Sequence, residues 1–72
     1  MNNLNVAKIQ LNGAPYEINI DTNLNELLNK LKIQKSKVAI EVNGEIVEKK
    51  KDTNLMLSKD DKVEIVHFIG GG

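Results

Sequence analysis

Apolar and polar residues alternate along most of this chain, and the period of the alternation changes once. Val6-Ala7-Lys8-Ile9-Gln10-Leu11 sets Ala7, Ile9 and Leu11 on one face with Lys8 and Gln10 opposite, the two-residue period of a strand covered on one side. Tyr16-Glu17-Ile18-Asn19-Ile20 repeats it, with Tyr16, Ile18 and Ile20 against Glu17 and Asn19. Asn12-Gly13 lies between them. Both residues tolerate positive φ, so the two runs read as a hairpin. Pro15 is expected to open the second strand, where a missing N–H is tolerated. The period then lengthens. Leu24, Leu27, Leu28 and Leu31 stand at i, i+3, i+4 and i+7, an apolar stripe down one side of a helix. The spacing predicts that helix over about residues 23–32, with boundaries good to a few residues. Thr22 or Asp21 is expected to cap its first turn. Glu26 stands near its positive end, and Lys30 and Lys32 near its negative end.

The second half returns to period two. Val38-Ala39-Ile40-Glu41-Val42 puts Val38, Ile40 and Val42 on one face, Asn43-Gly44 gives a second turn, and Glu45-Ile46-Val47 reads as a short returning strand. Lys49-Lys50-Lys51-Asp52-Thr53 is a polar connection, expected to be solvated. Leu55, Met56 and Leu57 form a short apolar plug, with Met56 as filler between helix and sheet. After the turn at Ser58 to Asp61 comes a last strand, Val63 to Phe68. Val63 and Ile65 share its buried parity, and Glu64, Val66 and Phe68 take the other face. A single short helix cannot hide its own leucines and has to lie across the sheet. The order therefore predicts an α+β fold of the β-grasp type, a mixed sheet of roughly four to five strands packed on one helix.

Size and composition narrow the options. The 72 residues make one domain, expected to span residues 1–69, followed by a glycine tail at 70–72. A chain this short buries only about 60% of its unfolded surface, and its core supplies about 3–5 kcal/mol. With no cysteine there is no disulfide framework and no thiolate zinc site. Ten acidic and ten basic side chains cancel, which argues against a nucleic-acid surface, since that needs clustered positive charge. One Tyr and one Phe, with no Trp, are too few for a base-stacking platform. The apolar runs are far too short for a membrane span, and no charged-then-apolar leader opens the chain. A cytoplasmic protein, monomeric on its own, is the expectation.

The chain closes on Gly70-Gly71-Gly72. Glycine loses the most freedom on ordering, so this run adds nothing to a core, and taken alone it reads equally well as a frayed end. The elements before it change that reading. In their order, and in Leu11-Asn12-Gly13, Glu26-Leu27-Leu28, Val42-Asn43-Gly44-Glu45-Ile46-Val47 and Asp60-Asp61-Lys62-Val63-Glu64-Ile65, the chain resembles the ThiS family of thiamine-pathway sulfur carriers, which have a ubiquitin-like fold. The resemblance runs from about Ala7 to Gly72. Each motif is weak by itself; their order before a glycine end makes the set specific.

The resemblance implies a carrier that is a substrate and not an enzyme. The carboxylate of Gly72 would be adenylated by an E1-like adenylyltransferase using its own bound MgATP. Sulfur from a donor such as a cysteine desulfurase would convert it to a thiocarboxylate, and a thiazole synthase would take that sulfur. No cofactor would be bound by this chain. Gly70 and Gly71 would thread a narrow channel into the partner. Two other readings stay open: a carrier of the same fold serving molybdopterin or cysteine synthesis, and a ubiquitin-like modifier joined to lysines. The residues themselves agree with a working terminus, because a chain without cysteine has no thiol on which to carry sulfur elsewhere.

Ordering a three-glycine tail in a partner costs about 3–6 kcal/mol, at roughly 1–2 per residue. The body must offset that by docking. The expected contact patch is the open sheet face near the last strand, with Val66, Phe68 and Ala39, and with Ile69 leading into the tail. His67, a lone imidazole with no cysteine or second histidine beside it, reads as a partly covered strand residue without a proton-transfer role.

Overall fold

Both Asn-Gly pairs turn the chain as their residue types dictate. Asn12 and Gly13 have φ of 51° and 84°, and Asn43 and Gly44 have 54° and 84°. Each pair is a two-residue loop with both members left-handed, the geometry whose twist matches that of the flanking strands. A computed structural model of the chain describes residues 5–48 and 54–69. The Asn-rich start, the Lys49–Lys51 connection and the glycine tail lie outside the described residues.

The strands are β1 (Val6–Leu11), β2 (Ala14–Asn19), β3 (Val38–Val42), β4 (Glu45–Ile46) and β5 (Lys62–His67); α1 is Leu24–Lys30, and a short 3-10 turn covers Lys35–Lys37. They form one sheet in the order β2-β1-β5-β3-β4. β1 and β5 run parallel and the other neighbours antiparallel. The expected α+β plan, a mixed sheet carrying one helix, is the observed one. Pro15 sits inside the edge strand β2 opposite Gln10, where the register turns its missing N–H toward solvent. No helix among the described residues is long and apolar enough to cross a membrane.

The helix is shorter than its leucine stripe predicts, and its start is capped by a different residue. Asn23, not Thr22 or Asp21, is the N-cap. Its side chain accepts the Glu26 N–H at 2.8 Å, and the Glu26 carboxylate accepts the Asn23 N–H at 3.0 Å, closing a reciprocal capping box. The Thr22 hydroxyl donates instead to the Asn19 carbonyl, and Asp21 adopts a left-handed backbone, φ 67°. At the other end Lys32 lies outside the helix with φ 60°. The Lys32 N–H bonds back to the Asn29 carbonyl and the Ile33 N–H to that of Leu28, a Schellman closure that ends the helix early.

Leu24, Leu27 and Leu28 belong to one buried cluster with Ile9 and Ile18, Val38, Ile40 and Val42, Val63 and Ile65, and Val47 and Leu57. Each such burial contributes about 1.5–3 kcal/mol. Leu31 is only partly covered. Three further expectations change. Ile20 falls beyond β2 and is 45% exposed, because the left-handed Asp21 turns the chain before the strand alternation can continue. Met56 is 50% exposed and is not a filler. Residues 55–57 pair with 22–24 through Leu24 N–H to Leu55 O and Leu57 N–H to Thr22 O. That extended pairing sends Leu57 inward and Met56 outward. His67 shares the parity of Val63 and Ile65 but stands at the end of β5 and is exposed, not partly covered.

Candidate functional site at the open sheet face and the chain end

With α1 on one face, the other face of the sheet carries no covering element among the described residues. β5 lies inside the sheet between β1 and β3, so the strand leading to the chain end is held on both sides at its base. Its buried residues Val63 and Ile65 alternate with the exposed Lys62, Glu64 and Val66. Register places Val66 directly across from Ala39, and Glu64 across from Glu41. The Phe68 N–H donates to the Lys37 carbonyl at 2.9 Å, which carries the β3–β5 ladder one residue past the strand. Ala39, Val66 and Phe68 therefore stand together on the open face, at the end from which the tail departs.

Val66 is 61% and Phe68 57% exposed. Both leave a large apolar side chain in water, the feature that marks interaction surfaces when such residues cluster. Ile69, at 98% exposed, follows Phe68, whose N–H makes the last bond to the β3 side, and leads into Gly70. Gly70, Gly71 and Gly72 lie outside the described residues, so the structure brings together Ala39, Val66 and Phe68 and leaves the terminus itself undescribed.

Sequence reasoning missed four contributors. Ile46 pairs with Glu41 and is exposed on the same open face; its place opposite Val47 in the alternation of Glu45-Ile46-Val47 was the available signal. Lys37 supplies the carbonyl that anchors Phe68, from a 3-10 turn that no periodicity announces. Asn12 does more than turn the chain: its side-chain oxygen accepts the Ile65 N–H at 2.7 Å. Asn43 repeats the device, accepting the Lys62 N–H at 2.9 Å while donating to Asp61 at 3.0 Å. Both asparagines tie hairpin turns to β5 and fix where that strand runs.

Among the described residues no group of three or more His, Cys, Asp or Glu could hold a metal ion, and no buried side-chain nitrogen or oxygen lacks a partner. A terminal carboxyl ordinarily ionises at about pH 3.5, so at neutral pH it is an anion and a poor acceptor for nucleophiles. It becomes reactive once joined to a leaving group. Glycine has no Cβ, so a glycine at a chain end leaves its carbonyl unobstructed.

Comparison with known proteins agrees with this arrangement. The ThiS family model matches residues 9–72. The sulfur carrier protein ThiS of Bacillus subtilis is 37% identical over 65 residues, covering 89% of this chain and 98% of that protein. A thiazole synthase of Magnetococcus marinus is 43% identical over 65 residues, 90% of this chain but only 20% of that protein; the chain thus spans about one fifth of the length of that relative. Among solved structures, the thiamine biosynthesis protein ThiS from Geobacter metallireducens superposes with a TM-score of 0.75 at 34% identity, covering 90% of this chain and 99% of the other. With the fold, the internal last strand and a family match running to Gly72, the chain belongs to the ThiS family.

Proposed function

We propose that this chain is a sulfur carrier of thiamine biosynthesis whose Gly72 carboxylate is the group that is activated and loaded. The observation that carries the reading is the family match extending through the terminal glycines, on a body whose last strand is clamped inside the sheet. In the first step a Gly72 carboxylate oxygen attacks the α-phosphorus of ATP held by an adenylyltransferase, and pyrophosphate leaves. The acyl adenylate now has AMP as its leaving group. The terminal sulfur of a donor's persulfide attacks the carbonyl carbon and expels AMP, forming an acyl disulfide. A thiol reductant then cleaves the S–S bond with two electrons and leaves the thiocarboxylate. In this scheme the chain is a co-substrate, and the catalytic groups belong to its partners.

The sulfur acceptor we propose is a thiazole synthase. Support comes from the Magnetococcus marinus relative, where a segment like this chain occurs within a protein named thiazole synthase. A carrier and its acceptor joined in one polypeptide work at high effective concentration. The same relatives favour thiamine over the molybdopterin and cysteine alternatives.

Intact-mass spectrometry after incubation with an adenylyltransferase, MgATP and a persulfide source tests the reading. The expected product is heavier by the difference between one sulfur and one oxygen, and it is absent when Gly72 is deleted. Lysine adducts in place of that product would instead support a protein modifier.

A further inference from the structure

The sheet's regular edges are blunted, and one internal edge is not. On β2, register directs Pro15, Glu17 and Asn19 outward. Pro15 has no N–H to offer, and the Asn19 carbonyl is taken by the Thr22 hydroxyl. β4, at the other edge, is two residues long. These are the ordinary ways in which a sheet avoids unwanted strand pairing.

β5 is different. Its pairing with β1 covers only Gln10 with Lys62 and Leu11 with Val63. The chain then turns away at Asn12-Gly13, with the Asn12 N–H bonded to the Val63 carbonyl at 2.9 Å and the Asn12 side chain on the Ile65 N–H at 2.7 Å. Past that point β5 continues to His67 with β3 on one side only. The β3 ladder uses the main chain of residues of even number, as the Phe68 N–H to Lys37 O and Asn43 N–H to Lys62 O bonds show. The Ile65 carbonyl and the N–H and carbonyl of His67 therefore face away from β3, with no strand beside them among the described residues.

We propose that the main-chain edge of β5 from Ile65 to Ile69 is a strand-addition site, occupied by an extended segment of the enzyme that adenylates the chain end. The inference rests on the functional reading above and adds how the partner grips. Three residues separate Ile69 from the terminus, and three residues reach at most about 10–11 Å. An active site that closes on Gly72 therefore lies within about 10–11 Å of Ile69, next to this edge. A strand added there would run about 4.8 Å from β5. It would be held by main-chain hydrogen bonds, the recognition mode of strand addition, and its side chains would extend the apolar face formed by Val66 and Phe68.

Chemical synthesis of the 72-residue chain gives the test. One variant replaces the Val66–His67 amide by an ester, removing the His67 N–H without touching a side chain. A control places the same ester at Tyr16–Glu17, removing the outward Glu17 N–H from β2. Pyrophosphate release by the adenylyltransferase is measured against carrier concentration. The expected result is a KM raised about three- to tenfold for the His67 ester, the loss expected for one hydrogen bond, with the Glu17 ester like the unmodified chain and both melting alike. Equal KM values for the two esters would overturn the inference while leaving the functional reading intact. A solution dimer abolished by the His67 ester would overturn it too, since the edge would then belong to a second copy. Failure of the unmodified chain to be activated at all would sink both readings together.

Discussion

Asn12 carries two tasks on one side chain. Its backbone sits at φ 51°, which asparagine tolerates better than most residues, and its amide oxygen satisfies the part-buried Ile65 N–H. Two substitutions separate the tasks. Asn12→Gly keeps the left-handed conformation and loses the acceptor, so it should cost about 1–3 kcal/mol for a buried donor left without a partner. Asn12→Ala loses the acceptor and also forces a Cβ into a disfavoured region, adding about 1 kcal/mol or more. Urea unfolding should rank them wild type, glycine, alanine. A glycine variant as stable as wild type would show that the bond to Ile65 contributes nothing. At this scale the sequence is half legible. The Asn-Gly pair announces its turn through local backbone preference, whereas the bond to a residue more than fifty positions away exists only once β5 has been laid beside β1. Met56 and Ile20 teach the same thing: hydrophobicity marks them for the core, and the local path of the chain turns them outward.

The elements themselves were readable because period is a property of one segment. Two-residue alternation found β1, β2, β3 and β5, and the leucine spacing found α1. Their ends were less readable, because ends are decided by competing hydrogen bonds. Thr22, Asp21 and Asn23 all have capping side chains, and only Asn23 is followed at the third position by a carboxylate able to return the bond. Removing that acceptor tests its weight. Asn23→Ala should destabilise the domain by about 1 kcal/mol, within a range of roughly 0.5–2. In a domain of this size that corresponds to about 4–8 °C in Tm. Thr22→Ala, which leaves the capping box intact, should cost less. If the two substitutions cost the same, the Asn23–Glu26 pair is not the dominant cap. The effect is large relative to a core that supplies about 3–5 kcal/mol, so a single cap decides a noticeable share of stability here.

Across the whole molecule, legibility divides along the two faces of the sheet. The covered face followed from burial, since one helix and one sheet have only each other to pack on. The open face was found by the same parity argument run in reverse: if Val63 and Ile65 point in, Val66 points out, and β3 register brings Ala39 to it. Long-range pairing, such as the parallel β1–β5 contact that makes β5 internal, has no local signature. A substitution on the open face separates folding from docking. Phe68→Asp puts a charge on a residue that is already 57% exposed and past the end of β5, so the domain should keep its stability within about 1 kcal/mol, as surface changes generally do. Docking should suffer far more. Burying a phenylalanine is worth about 1.5–3 kcal/mol, so the concentration of carrier needed for half-maximal adenylation should rise at least about tenfold. The turnover of the docked complex should change little, because the Gly72 carboxylate proposed to react lies four residues away and the lost contact stabilises ground and transition states alike. Steady-state pyrophosphate release over a range of carrier concentrations, beside a melting curve, reads both quantities. A variant that melts normally and is activated with unchanged KM would place the partner's footprint somewhere other than the face shared by Ala39, Val66 and Phe68.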